Sequence, residues 1–357
     1  MAIPHSTTYA RDPARWAARF GISREACELY LASDVIDLHV DSFIWTRVFG
    51  YDLWERHGTG LLGGNFYSQL DLPRVLDAGM SGAVWSITTN PFRSRRGRAR
   101  TFSRNLERLR RLFAAVPEQA RIVRDEREYR AARERGLHAA FVGVQGGNAF
   151  EADFSLLDAP ELTRVTLVHM TNAEFGSTSS PLRFGAERGL SEHGRQFVAE
   201  LNARRVFVDL AHIGRRGFMD AVDIHDRTQP LLVSHTGAAG VHASWRNVDD
   251  EQLARVADTG GVVGVVFHGQ YLSGRYLSGG PLNSVVEHLA HIVRVAGEDA
   301  AAIGSDWDGL IIPPKDLRSC AGLPKLVEAM LARGFAPELI QKILGGNFLR
   351  ALRQLRS

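Results

Sequence analysis

Lysine is almost absent from this chain of 357 residues, where Lys315, Lys325 and Lys342 stand among 43 basic side chains. The formal net charge is only +3, so the composition gives no general affinity for nucleic acid or another polyanion. Arginine replaces lysine throughout the chain, and we interpret this imbalance mainly as a bias of genomic base composition. The imbalance alone therefore predicts no binding site.

Cysteine and long apolar runs are also scarce. Cys27 and Cys320 form neither a CxxC pair nor a disulfide framework. The first residues contain no apolar signal-peptide core, and no apolar stretch is long enough to span a bilayer. The charged ending ALRQLRS argues against a lipid-anchor signal. These absences predict a cytoplasmic protein that binds neither a membrane nor nucleic acid.

Short apolar runs recur along the chain with segments of helical periodicity between them. Because most runs are continuous rather than alternating, they are typical of strands buried on both faces of a parallel sheet. The predicted strands are residues 35–41, 82–88, 139–145, 165–171, 206–212, 231–236, 261–268 and 301–306. The predicted helices between and after them include 104–115, 189–204, 249–259, 282–297 and 323–333. Eight strands alternating with helices predict an α/β protein with a (β/α)8 TIM-type barrel.

The whole chain, residues 1–357, is predicted to be a single domain, because we find no internal repeat and no low-complexity linker. Residues 1–33 are interpreted as an N-terminal helical extension. Residues 337–356 are interpreted as a C-terminal helical cap, with Pro337 at a helix start. The long excursion at 43–77 follows the first strand and is predicted to cover a pocket.

Residues that commonly bind metals lie at the ends of the predicted strands. His39 and Asp41 close the run VIDLHVD, His212 closes VFVDLAH, His235 closes LLVSH and Asp306 follows AAIGS. In a barrel of this kind the chemistry lies at the carboxyl ends of the strands. Imidazole and carboxylate ligands together suit zinc. The pattern therefore predicts a metal-dependent hydrolase.

Each of these residues also has a structural interpretation. A single HxD pair is a weak signal, and a single strand-end histidine more often packs and forms hydrogen bonds than binds a metal. Asp306 could equally cap the next segment, since glycines surround it. Other histidines look like loop or helix residues and receive no role: His57, His138, His193, His225, His242, His288 and His291. The joint pattern carries the metal prediction.

Ordered motifs across residues 35–352 resemble the membrane (renal) dipeptidases, zinc peptidases of the amidohydrolase-like barrel type. VIDLHVD is similar to the family's first-strand HxD motif, and VTLVHMTN to its LTLTH segment. VFVDLAHI resembles the block ending in DLAH or DLSH, and LLVSHTGAAGVHASWRNVDDEQL resembles the SHS…RNVPDD block. AAIGSDWDG and ILGGNFLRAL are similar to GSDFDG and the closing GNxLR helix.

The resemblance implies roles for individual residues. Two zinc ions would be held by His39 and Asp41 on one side and by His212 and His235 on the other. His169 would polarise the substrate and stabilise the oxyanion, Arg246 would bind the substrate's C-terminal carboxylate, and Asp306 would carry the proton. The implied reaction is hydrolysis of a small dipeptide by metal-activated water, in some members with a D-residue at the C-terminal position. Dimers are common in the family, so a homodimer is also implied. Without the resemblance, His169 would be a core histidine and Arg246 one of many surface arginines.

The sequence departs from the family pattern at Gln145, which lies in VQGG where the family has the glutamate that bridges both metals. An amide offers one neutral oxygen, whereas a carboxylate can give a charged oxygen to each metal. We therefore expect a weak or empty second metal site. Three hypotheses follow: a dipeptidase with one tight and one weak metal, a related enzyme acting on another small amide metabolite with one metal or none, or a non-catalytic binding protein.

A second departure is the arginine-rich segment from Arg93 to Arg100, which matches no family motif that we recognise. Charge runs of this kind are usually solvated surface. The alternative hypothesis is that the segment, near the barrel mouth, meets an acidic substrate group or an acidic patch of another subunit.

Overall fold

The computed structural model describes residues 12–183 and 185–356. Apolar runs in this part of the chain form parallel strands that are buried along almost their whole length. The strands are β1 (Ile36–Val40), β2 (Gly82–Thr88), β3 (Ala120–Ile122), β4 (His138–Gln145), β5 (Leu162–Thr166), β6 (Phe207–Asp209), β7 (Leu232–Thr236), β8 (Val262–Val265) and β9 (Ala301–Ile303). Helices follow most of the strands, as the periodicity predicted.

Eight of these strands form a nearly closed barrel in the order β1-β2-β4-β5-β6-β7-β8-β9, and β3 pairs with β4 outside this ring. The last gap is closed beyond the end of β9, where Val40 and Trp307 form a parallel bridge. There the Asp41 amide donates to the Trp307 carbonyl at 2.8 Å, and the Asp306 amide donates to the His39 carbonyl at 3.0 Å. The predicted (β/α)8 TIM-type fold is thereby confirmed.

Helices surround the barrel and also precede and follow it. Between the first two strands lie α3 (Phe43–Phe49) and α4 (Leu72–Asp77), so the predicted covering loop contains two short helices. The helices around the barrel are α5 (Arg95–Ala114), α6 (Glu126–Glu134), α7 (Glu192–Ala203), α8 (Arg215–Ile224), α9 (Asp250–Ala257), α10 (Gly269–Ser273), α11 (Asn283–Ala296) and α12 (Pro324–Ala332). Among the described residues no helix is both long and apolar enough to cross a membrane.

The two terminal helical segments agree with expectation where they are described. The predicted N-terminal extension contains α1 (Pro13–Phe20) and α2 (Arg24–Ala32), whereas residues 1–11 lie outside the described part. The C-terminal cap begins at Pro337 as α13 (Pro337–Gln341), passes through a π-helical turn at Lys342–Gly346 and ends as α14 (Asn347–Arg356). The cap packs Phe348 against Phe141 and Phe207, at ring-centroid distances of 5.2 and 6.0 Å. Both partners belong to barrel strands.

The barrel interior contains a charged side chain, Arg164 of β5, which is fully buried. Glycine on the neighbouring strand β4 makes room for it. A Cβ on Gly143 would lie 2.8 Å from the Val84 side chain and 2.9 Å from the Arg164 guanidinium carbon. The missing side chain at Gly143 therefore leaves this space to the guanidinium group.

Candidate metal centre

Three strand-end residues bring their polar atoms together at one end of the barrel. The Nε2 atom of His39 lies 3.5 Å from a carboxylate oxygen of Asp41 and 3.4 Å from one of Asp306. All three residues are buried, and His39 Nε2 has no hydrogen-bond partner among the described residues. One donor atom each from His39, His235 and Asp306 also lies within 4.8 Å of the others.

The structure shortens several strands relative to the sequence prediction, and the change affects how the site is built. His169 was expected within a strand at 165–171, but β5 ends at Thr166. His212 and Asp306 lie in turns beyond β6 and β9, with backbone φ angles of 69° and 65°. A positive φ is unusual for residues with a Cβ and turns the chain out of the extended conformation. These side chains are therefore positioned by the loops that follow the strands.

A second group of candidate ligands meets beside the first. The Nε2 atoms of His212 and His235 are 2.8 Å apart. The side-chain nitrogen of Gln145 lies 3.2 Å from His212 Nε2 and 3.3 Å from His235 Nε2. Its side-chain oxygen accepts a hydrogen bond from the Thr88 hydroxyl at 3.1 Å. In this orientation the amide presents hydrogen-bond donors to the two imidazoles, where a bridging carboxylate would present acceptors.

Arg164 supports the first group from inside the barrel. Its guanidinium group donates to Nδ1 of His39 at 2.5 Å, to Ser86 at 2.8 Å and to Asp209 at 3.0 Å. Because a guanidinium can only donate, Nδ1 of His39 is the acceptor, and the neutral ring carries its proton on Nε2. A cation would need the lone pair of Nε2, so its binding would require the ring proton to move to Nδ1 and the Arg164 contact there to break. Burial, followed by the positive charge of Arg164, lowers the pKa of His39.

The two carboxylates of the first group differ in acidity. Burial raises the pKa of Asp306 well above its usual value, and the negative charge of Asp41 raises it further. Burial also opposes ionisation of Asp41, but its interaction with His39 and a hydrogen bond from Thr88 bring its pKa below the usual value. The pair therefore favours a protonated Asp306 beside an ionised Asp41. A cation between the two would remove their repulsion.

His169 and Arg246 also lie at this end of the barrel. The ring of His169 packs edge-on against His212, with centroids 4.7 Å apart, and burial lowers the pKa of His169 to about 4. Arg246 is 3% exposed and donates to the carbonyl oxygen of His235 at 2.5 Å. Thus all the residues named from the sequence, His39, Asp41, Gln145, His169, His212, His235, Arg246 and Asp306, face a common region.

Two of the five arginines in the arginine-rich segment pair with carboxylates of neighbouring loops. Arg95 pairs with Glu174 at 2.9 Å, and Arg98 pairs with Glu151 and donates to the Asn148 carbonyl at 2.9 Å. Both carboxylates belong to segments that follow β4 and β5. These contacts therefore hold the start of α5 against the adjacent loops. Because both guanidinium groups are already paired, we do not assign them to substrate binding.

Sequence reasoning missed two residues of the site, and each had a signal. Thr88 ends the second predicted strand and donates to an Asp41 oxygen at 2.8 Å, so the strand-end argument could have included it. Arg164 is a charged residue beside an apolar run, which is unusual for a buried strand.

His138 was assigned above to a loop or helix, but it is the first residue of β4. Trp85 donates a hydrogen bond to its Nε2 at 3.1 Å. Its partners make it a structural histidine.

The donor set fits a divalent metal ion. Two buried carboxylates that face the same imidazole nitrogen repel each other when both are ionised, and a cation between them would remove that repulsion. His39, Asp41 and Asp306 offer one nitrogen and up to four oxygen atoms, and His235 is within reach of the same point. His212 and His235 form a second pair of candidate nitrogen ligands beside them, and the Gln145 side chain contacts both imidazoles.

The comparison with known proteins agrees with this geometry. Residues 23–357 match the model of the membrane dipeptidase family, peptidase family M19. The chain belongs to this family. A curated relative from Klebsiella pneumoniae, described as an uncharacterized protein in the pqqA 5' region, is 36% identical over 169 residues. That match covers 47% of this chain and 61% of the relative, so the chain spans less than two thirds of that protein.

Solved structures show the same fold over almost the full length. The dipeptidase AC, a metallopeptidase of family M19, is 27% identical, with a TM-score of 0.78 over 90% of this chain and 98% of its own. A metallopeptidase from Rhodobacter sphaeroides, solved with a phosphinate mimic of the dipeptide L-Ala-D-Ala, is 25% identical. Its TM-score is 0.76 over 90% of this chain and 99% of its own. The family resemblance drawn from the motifs is thereby confirmed.

Proposed function

We propose that this protein is a zinc-dependent dipeptidase with one strong metal site and a weaker second one. The observation that carries the proposal is the unpartnered His39 Nε2, which faces carboxylate oxygens of Asp41 and Asp306. Membership of a metallopeptidase family supports it. The mixed imidazole and carboxylate set favours zinc over magnesium or calcium, which prefer oxygen ligands alone.

Each remaining residue has a task in peptide hydrolysis. A bound zinc ion supplies Lewis-acid chemistry, which polarises a carbonyl group and makes a water molecule more acidic. With a cation bound beside it, Asp306 would be ionised and could take a proton from water and return it to the leaving amine. His169 is held neutral and can donate a hydrogen bond to the developing oxyanion. Arg246 can bind the terminal carboxylate of the substrate.

The substrate is proposed to be a dipeptide, and a D-residue at its second position is a natural variant to test. The relative from Rhodobacter sphaeroides was solved with a mimic of L-Ala-D-Ala, which supports including such peptides.

A cytoplasmic location is also part of the proposal. The buried, unpaired Cys27 and Cys320 suit a reducing compartment.

One observation favours a second candidate function. The Gln145 amide presents its nitrogen to both His212 and His235, so its N–H groups can occupy the place of a second cation. A protein arranged in this way could act on another small amide metabolite with one metal, or serve as a binding protein without catalysis.

The test is metal content together with hydrolysis of a dipeptide panel, with Gln145→Glu in parallel. We expect the wild-type protein to bind close to one zinc tightly and to cleave at least one peptide. Gln145→Glu should add a second tight equivalent, because it restores a negative charge between the two ligand groups. Absence of both zinc binding and hydrolysis in the wild-type protein would refute the proposal. Hydrolysis that appears only in Gln145→Glu would favour the binding protein.

A further inference from the structure

Arg246 lies between two residues that both contact Tyr271 of the neighbouring loop. The ring of Trp245 packs edge-on against the ring of Tyr271, with centroids 5.4 Å apart. On the other side of Arg246, the side-chain nitrogen of Asn247 donates to the Tyr271 carbonyl at 2.7 Å. Tyr271 belongs to α10, which follows β8, whereas residues 245–247 belong to the loop that follows β7. The chain on both sides of Arg246 is therefore held against the next loop of the barrel.

The Asn247 side chain has three backbone partners. Its oxygen accepts from the Gly237 amide at 3.0 Å, and its nitrogen donates to the His242 carbonyl at 2.8 Å and to the Tyr271 carbonyl. Because one partner is a donor and two are acceptors, only this orientation of the amide satisfies all three. Gly237 leaves room for it, since a Cβ there would lie 2.5 Å from the Asn247 oxygen. Asn247 therefore joins two parts of the loop after β7 to the loop after β8.

The base of the loop after β7 is held without the Asn247 side chain. The Val248 amide donates to the Gly237 carbonyl at 3.0 Å, and the Ala239 amide donates to the Val248 carbonyl at 2.8 Å. From α11, the fully buried His288 accepts from the Ala238 amide at 2.8 Å through its Nδ1 atom. Loss of the Asn247 side chain should therefore leave the base of the loop in place and free the part that carries Arg246.

The Arg246 side chain depends on its backbone for its direction. Its guanidinium group donates to the His235 carbonyl at 2.5 Å, and the Thr236 hydroxyl lies 3.0 Å from the Arg246 carbonyl oxygen. Paired hydrogen bonds between a guanidinium group and a carboxylate require correct geometry as well as charge. A displacement of about 1 Å can cost about 10²-fold in rate, even when the altered residue is remote from the reacting groups. A residue that fixes the backbone beside Arg246 can therefore control how well a carboxylate is bound.

We propose that Asn247 is a positioning residue for Arg246. By joining the loops after β7 and β8, it directs the guanidinium group at the terminal carboxylate of the substrate and sets the preference for free dipeptides over dipeptides with a neutral end. This inference rests on the proposed function, which gives Arg246 the task of binding that carboxylate. The Asn247 amide is engaged by three backbone groups, so it acts through Arg246 rather than on the substrate.

The test compares a dipeptide that the protein cleaves, Ala-Ala or the best of the panel, with its C-terminal amide, which lacks the charge. We expect kcat/KM for the free dipeptide to exceed that for the amide by about tenfold or more, because charge-assisted hydrogen bonds to a carboxylate are worth that much. The ratio should fall towards one in Asn247→Ala and Asn247→Asp, as in Arg246→Met. The fall should come from a higher KM for the free dipeptide, with the constants for the amide and the zinc content unchanged.

Asn347 provides a matched control. Its side-chain nitrogen also donates to two backbone carbonyls, those of Glu298 and Ala301, both at 2.8 Å. These contacts lie between the C-terminal cap and the amino end of β9, whereas the candidate metal centre lies at the carboxyl ends of the strands. Asn347→Ala should also destabilise the protein, but it should leave the ratio of free dipeptide to amide unchanged.

Each outcome decides the inference separately from the proposed function. A wild-type ratio that persists in the folded Asn247 variants, or that falls equally in Asn347→Ala, would overturn the positioning role. Equal cleavage of the free dipeptide and its amide by the wild-type protein would do the same and leave the dipeptidase standing. If Asn247→Ala fails to fold, Asn247→Asp decides, because it has nearly the same shape and can still accept from the Gly237 amide.

If no peptide is cleaved, the proposed function fails, and binding decides the inference. Calorimetry would then compare Ala-Ala with Ala-Ala amide on the metal-depleted protein. Weaker binding of Ala-Ala to Asn247→Ala, with no change for the amide, supports the positioning role. Equal affinities in the wild-type protein, an unchanged difference in the variant, or no binding of either peptide would reject it.

Discussion

Replacing Arg164 by methionine should strongly destabilise the barrel. The Arg164 and Asp209 side chains are both fully buried and form an ion pair at 3.0 Å. The same guanidinium donates to Ser86, to Thr166 at 3.1 Å and to His39. Removing one partner of a buried pair typically costs about 3–5 kcal/mol, since the other charge is left uncompensated. We expect the free energy of unfolding to fall by that amount.

The measurement is urea unfolding of metal-depleted protein, followed by circular dichroism, so that metal binding does not contribute. The double variant Arg164→Met/Asp209→Asn should recover part of the loss, because it removes the orphaned charge. Asp209 also accepts from the Ala211 and Ser234 amides, so recovery should be incomplete. A loss below about 1 kcal/mol in Arg164→Met, as for an exposed ion pair, or no recovery in the double variant, would refute the reasoning. Arg164→Lys, which keeps the charge, serves as the milder variant.

Two further predictions concern catalysis and acid stability. Asp306→Asn should lower kcat for a cleaved dipeptide by about 10²–10⁴-fold, because the amide cannot carry the proton; an unchanged kcat would exclude Asp306 as the proton carrier. Burial lowers the pKa of His138 from 6.5 to about 4, so the neutral ring contributes fully to the free energy of unfolding above pH 6.5, and this contribution is lost as the pH falls through 4. The free energy of unfolding should fall by about 3 kcal/mol over this range because of His138. His138→Gln should make this pH dependence less steep, and an unchanged slope would contradict the argument.

The barrel could be predicted from sequence because its strands are buried on both faces and read as continuous apolar runs. The carboxyl ends of β2, β4 and β7 were also predicted, whereas those of β5, β6 and β9 were not. β6 is only Phe207–Asp209, although the apolar run continues to His212. Hydrophobicity reports burial rather than backbone conformation, and residues in the buried turns after the strands are as apolar as those within them. The candidate ligands were therefore found, with His39, Gln145 and His235 on strands and Asp41, His212 and Asp306 in the turns that follow strands.

Short β3, which pairs with β4 outside the ring, was missed for a related reason. Its burial is partial, with Arg121 exposed in a segment of three residues, so no apolar run marks it. The helix α5 begins at Arg95, well before the predicted start at 104, because its first turns are polar. There Ser94 caps the helix by accepting from the Gly97 amide. Local capping, rather than an apolar face, sets this boundary.

The orientation of the Gln145 amide determines whether its side-chain oxygen faces His212 and His235, where a second metal ion would bind. Thr88 has a single hydroxyl proton and two acceptors within reach, an Asp41 oxygen at 2.8 Å and the Gln145 oxygen at 3.1 Å. When that proton goes to Asp41, the amide can turn, donate to the Thr88 oxygen, and present its own oxygen to His212 and His235. Only the turned amide offers a ligand to a second cation, and turning removes its contacts of 3.2 and 3.3 Å with the two imidazoles. A carboxylate offers an oxygen in either orientation. Under the proposed function, Gln145 would therefore weaken the second metal site in two ways, through the missing charge and through this competing set of hydrogen bonds.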